Sequence, residues 1–190
     1  MIGDEGEDFK ATFDTTDVPF PQVKIQDPNN PEKMIVNKSL YSQKFNAPAL
    51  RYEYGIAIKT NHIVSLRGPF PPGDLNDAMI FKMGLESGEI HLEEGERVIA
   101  DAIYDKADLC PKYVKCITSV TTDQRDRILF KRAEGRHETF NQRLKSFRCL
   151  HNKIGGPTKD KIKKQRAQIY AISTILQVGF SLGTNKLYEI

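Results

Sequence analysis

Val98-Ile99-Ala100 is a short unbroken apolar run, closed by Asp101, in a chain where 28% of residues are charged. A half-exposed strand alternates apolar and polar residues, whereas a continuous run of this kind suits a central strand covered on both sides. Strands with the alternating pattern precede it. Phe9, Ala11 and Phe13 alternate with Lys10, Thr12 and Asp14, which places Asp14 on the face opposite the Phe side chains. Tyr52, Tyr54, Ile56 and Ile58 alternate with Arg51, Glu53, Gly55, Ala57 and Lys59. A turn at Thr60-Asn61 lets His62 to Arg67 return antiparallel. Residues 27–33, with two prolines and two asparagines, read as a loop, and Gly68-Pro69-Phe70-Pro71-Pro72-Gly73 as a breaker.

Helical patterns follow. Asp74 is the expected N-cap of a helix with Asp77 in its first turn, and Leu75, Ala78, Met79 and Met83 share its apolar face. Residues 124–149 read mainly as helix with a break near Gly135. Phe140, Leu144 and Phe147 form one stripe, and Glu138, Gln142 and Lys145 lie together on another. Gly155-Gly156-Pro157 ends that region. A last helix over 158–178 buries Ile162, Ile169, Ile172 and Leu176. The order of strands, helix, strand, helix, helix makes the chain α/β with a mixed sheet flanked by helices.

Composition narrows the function classes. An apolar fraction of 39% fills a core, and no apolar run approaches the roughly 18 residues that a membrane span needs. The acidic start, Met-Ile-Gly-Asp-Glu-Gly-Glu-Asp, is unlike a signal peptide, so an intracellular location is expected. Three cysteines fit a reducing compartment, and Cys110 and Cys116 have no partner at zinc-site spacing. The net charge is only +3, but it is unevenly spread. Residues 1–17 carry six acidic side chains and one Lys, while residues 123–170 carry fourteen Lys/Arg against five Asp/Glu. This asymmetry fits a polyanion partner, and equally two solvated helix faces.

Three segments each set a carboxylate beside a structural element: Phe13-Asp14-Thr15-Thr16-Asp17, Ala100-Asp101-Ala102-Ile103-Tyr104, and Arg136-His137-Glu138-Thr139-Phe140-Asn141-Gln142-Arg143-Leu144-Lys145. Singly, an Asp ending a strand is most often a turn or cap residue, and a Glu on a charged helix is solvated. In this order, however, the three resemble the signature blocks of Harbinger-type transposases, DDE-superfamily endonucleases. In that family the opening block is Asp-Gly-Thr followed by His or Asp. The middle block is Ala-Asp-x-x-Tyr, and the last is Arg-His-Glu-Thr-x-Asn-x-Arg-x-Lys-x-Phe. The stretches Leu40–Phe45, Leu50–Glu53 and Gly68–Gly73 are also similar to the family, so the resemblance runs from about Phe13 to Glu189. Thr15 stands where the family has Gly. A Cβ there is expected to strain a turn after Asp14.

The resemblance implies an RNase H-like nuclease domain over 13–190, after an acidic lead-in over 1–12 that begins the first strand. It implies Asp14, Asp101 and Glu138 as a catalytic triad holding two Mg²⁺ ions, for which Mn²⁺ can substitute. Carboxylate oxygens suit such hard cations, and a metal pair about 4 Å apart serves phosphodiester cleavage. The implied reaction is hydrolysis of a DNA strand, after which the freed 3′-hydroxyl attacks target DNA. Arg136, Arg143 and Lys145 are the expected DNA-phosphate contacts. His137 is expected in a structural or DNA-contact role, and Asp17 in a supporting or turn role. The family's N-terminal DNA-binding region is expected to be missing from this chain. A nuclear location follows, with DNA as partner, a separate Myb-like DNA-binding protein as a further one, and an oligomer on DNA. The alternatives are a domesticated or decayed transposase that binds DNA or protein without cutting, an RNase H-like enzyme acting on RNA or a hybrid, and a plain structural domain.

Overall fold

The computed structural model describes residues 8–60, 62–107, 113–117, 124–152 and 154–183. Most of the acidic lead-in, Asn61 of the expected turn, and Cys110 lie outside them, as does the side chain of Cys116. In chain order the strands are β1 (Asp8–Pro19), β2 (Lys24–Asp27), β3 (Asn30–Val36), β4 (Tyr41–Ser42), β5 (Ala47–Ala57) and β6 (Ile63–Phe70). Helix α1 (Asp77–Ser87), strands β7 (Glu96–Asp101) and β8 (Val114–Ile117), and helices α2 (Gln124–Lys145) and α3 (Thr158–Ser181) complete the set.

The main sheet is mixed. β5 is antiparallel to β1, β6 is antiparallel to β5, and β7 and β8 run parallel to β1 on its other side. The short β4 pairs with the start of β5. β7 thus lies between two strands, with Val98, Ile99 and Ala100 at 0–2% exposure, as its unbroken apolar run requires. One face of the sheet packs through Ala11, Phe13, Val98 and Ala100 against Ala78 and Phe81 of α1 and against Tyr104 of the helical turn that follows β7. The opposite face carries Val18, Tyr52, Tyr54 and Ile56 against Phe140 and Leu144 of α2 and Ile169, Ile172 and Leu176 of α3. Gly55 is opposite Phe13 in register, and a Cβ there would fall 2.6 Å from the Phe13 ring, so the bare backbone makes room for that ring. Among the described residues, no helix is long and apolar enough to cross a membrane.

Several sequence expectations are corrected. The register of β1 against β7 slips between Phe9 and Ala11, and this bulge puts Phe9 with Ile58, Ile99 and Phe130, apart from Phe13. Residues 27–33 are not a loop, because β2 and β3 form a two-stranded ribbon that turns at Pro28-Asn29, where Asp27 accepts from the Asn29 N–H at 2.9 Å. Pro31 is tolerated because the ribbon is exposed and has free edges. β6 runs through Gly68-Pro69 to Phe70 instead of breaking before them. The N-cap of α1 is Asn76, which accepts from the Met79 N–H at 2.9 Å, and Asp74 instead belongs to the preceding turn. The buried face of α1 is Ala78, Ile80, Phe81 and Gly84, while Met79 and Met83 are exposed. α2 passes through Gly135 without a break.

Candidate functional site

The fold brings the three blocks to one place. Thr12 of β1 pairs with Ile99 of β7, and two residues further along each strand Asp14 and Asp101 lie on the same face of the sheet, the α2 face. α2 crosses above them with Glu134, Glu138, Asn141, Gln142 and Lys145 on one stripe at helical spacing. Together with Lys44, from the turn between β4 and β5, these residues line a cavity of about 470 Å³. Asp14, Asp101 and Glu138, which are far apart in sequence, therefore share one cavity.

Asp14 is the most enclosed of the three. Its Oδ1 accepts from the Thr15 N–H at 2.7 Å, and its Oδ2 has a long contact of 3.5 Å with the Asn141 amide. Burial raises its pKa above the usual aspartate value, and the nearby Asp101 charge adds to this. The Thr15 N–H and the Lys44 ammonium oppose the rise without cancelling it. Asp101 and Glu138 are exposed to the cavity, and Asp101 accepts from the Ala102 N–H. The donor set is all carboxylate oxygen, which fits a hard divalent cation. Among the described residues no three His, Cys, Asp or Glu side chains are gathered closely enough to hold an ion as they stand. Holding one therefore requires these carboxylates to draw inward.

The Thr15 Cβ causes no strain. β1 continues as a strand to Pro19, and Asn46 is the described non-glycine residue with positive φ. The Thr15 hydroxyl instead supports Asp77 on the α1 side. Asp17 has a structural setting. It is 1% exposed, accepts from the Arg51 Nε at 2.6 Å and Nη2 at 3.0 Å, and accepts from the Ser42 hydroxyl at 2.6 Å. Burial alone would raise its carboxyl, but the Arg51 and Ser42 hydrogen bonds outweigh burial and leave it below the usual value.

The three basic residues expected at phosphates separate. Lys145 lines the cavity. Arg136 is 1% exposed, and its guanidinium donates to the backbone carbonyls of Ala57, Ile58 and Thr60 at 2.8–3.0 Å. It ties α2 to the end of β5, a setting that leaves no face for DNA. Arg143 lies over the Phe180 ring, 5.7 Å from its centroid, on the side of α2 that meets α3. His137 is buried and hydrogen-bonded to the Thr12 backbone, and burial lowers its pKa to about 4. It also lines the cavity as a neutral ring.

Lys44, Glu134 and Asn141 are cavity residues that sequence reasoning did not single out. The spacing of Glu134 and Asn141 from Glu138 on one helix was available as a signal. Lys44 carries none, because a β-turn lysine reaches the cavity only through the fold. Comparisons with protein-family models, with characterised proteins and with solved structures returned no match.

Proposed function

We propose that this chain is the catalytic domain of a metal-dependent DNA endonuclease of the transposase type, with an RNase H-like fold. The observation that carries this is the shared cavity of Asp14, Asp101 and Glu138, drawn from two neighbouring parallel strands and a helix across them. The sheet order supports the fold assignment, since a central first strand has antiparallel partners on one side and parallel strands on the other.

Asp14, Asp101 and Glu138 would hold two divalent cations. When bound, these ions supply charge relief at phosphorus and a nucleophile at neutral pH. The remaining work falls to the chain itself. Burial keeps the Asp14 carboxylate short of compensating charge, so it gains most from a cation. The Thr15 N–H fixes its orientation. Neutral His137 and the apolar Ile99 and Ala133 limit water at the cavity wall. Lys145 offers a charge to a phosphate.

Purified protein with supercoiled plasmid in Mg²⁺ or Mn²⁺, beside an Asp101→Ala control, tests this. The expected result is metal-dependent nicking that the substitution abolishes. A folded, DNA-binding protein that nicks in neither metal would sink the nuclease assignment and leave a non-catalytic binding module.

A further inference from the structure

Two ammonium groups stand together on one wall of the acid-lined cavity. Lys44 comes from the β4–β5 turn and Lys145 from the last turn of α2. The Lys145 Nζ lies 5.1 Å from the centroid of the Phe45 ring, the residue next to Lys44. Burial lowers the Lys145 pKa and the Lys44 charge adds to this, while the Asp17 and Asp14 charges oppose the shift without cancelling it. Among the described residues neither makes an ion pair or a side-chain hydrogen bond, although four carboxylates line the same cavity.

The fold holds Lys44 there. Its turn contains Asn46 in the left-handed region (φ 52), whose side chain accepts from the Tyr41 hydroxyl. The Phe45 N–H donates to the Ser42 hydroxyl at 3.2 Å, and that hydroxyl donates to the buried Asp17. Asp17 is in turn fixed by Arg51, which also bonds Asp77 and the Leu75 carbonyl of the segment entering α1. A turn anchored this firmly presents its lysine at a defined position. Asp14 and Asp17 offset part of the repulsion between the two ammonium groups from a distance, and two cations held this close lower the remainder by taking up an anion between them.

We propose that Lys44 and Lys145 form a clamp for a phosphate of the nucleic-acid backbone, seated beside the carboxylates. The clamp rests on the assignment of the cavity as a phosphodiester site, and it names the residues that grip the strand. A phosphodiester is the fitting anion because the cavity pairs this basic wall with acids suited to cations, and a phosphate bridges the two. Arg136 and Arg143, engaged elsewhere, leave the grip to these lysines.

Binding of a fluorescein-labelled DNA duplex, followed by anisotropy in EDTA over a range of salt, separates the clamp from the cutting. Lys44→Gln and Lys145→Gln are each expected to weaken binding roughly fivefold to tenfold at low salt and to lower the salt slope by about one. Lys44→Arg restores both. Wild-type affinity and slope in both Gln variants would overturn the clamp, even if plasmid nicking is intact. Weakened binding in the Gln variants of a protein that never nicks would keep the clamp and remove the nuclease.

Discussion

The two faces of the main sheet treat charge in opposite ways. On the α1 face the buried charges are paired. Asp17 meets Arg51, Arg51 meets Asp77, and Glu53, at 0% exposure, meets Arg67 at 2.8 Å, which also reaches Glu89 and the Ile80 carbonyl. On the α2 face Asp14, Asp101, Glu138, Lys44 and Lys145 share one cavity, and among the described residues they form no ion pair with one another. The first arrangement joins strands to α1, and either partner lost leaves a stranded charge. The other costs stability and offers both signs of charge to a ligand, as sites built for function commonly do. Charge on one face is paired within the fold, while charge on the other is left facing the cavity.

Arg67→Met should break this contrast most. It strands Glu53 and is expected to cost about 3–5 kcal/mol in urea unfolding. Burial already pushes Glu53 to about 7 with Arg67 present. Its folded pKa exceeds the ordinary 4.5, so the folded state binds more protons between those values and stability falls as pH rises through that window. In the variant that fall should extend to higher pH, and a variant as stable as wild type at pH 8 would show that the pair is dispensable.

Asp17→Asn comes next, at about 2–3 kcal/mol, through loss of the charge-assisted bonds to Arg51. The sign is reversed here. The folded pKa of Asp17 lies below the ordinary 3.8, so its stabilisation is complete above that value and is lost as pH falls through the folded pKa. The difference between wild type and variant should therefore shrink in acid, as thermal melts across pH would show.

Asp14→Asn is expected to have the smallest effect, in the opposite direction. The folded pKa of Asp14 is raised, so its anion opposes folding above 3.8. The variant should gain up to about 1 kcal/mol at pH 7 while losing any metal-dependent nicking. A variant that is less stable would place Asp14 with the structural charges and erase the contrast between the faces.

Much of this was legible in the chain. The unbroken run before Asp101 identified the central strand, period-two alternation identified β1 and β5, and the stripe of Ile162, Ile169, Ile172 and Leu176 identified α3. The site was legible as far as local spacing reaches, with Glu138, Gln142 and Lys145 sharing a helix face and all lining the cavity. What stayed hidden depended on tertiary context. One extra residue at Lys10 turns Phe9 to the other face, and period counting cannot detect it. Met79 and Met83 satisfy a helical stripe as well as Ala78 and Phe81 do, and only the shape of the sheet decides between them. Arg136 reads as a surface cation in sequence because its three carbonyl acceptors come from residues more than seventy positions earlier.

Asp14 and Glu138 are 124 positions apart, and the cavity has no wall until α2 lies across β1 and β7. During synthesis the acidic strands leave the ribosome well before the helix that completes them. A half-made chain can thus pair β1 with β5 and seat β6, yet it presents no enclosed pocket. The pocket itself is therefore absent from the nascent chain and is complete only once α2, up to Lys145, has been made.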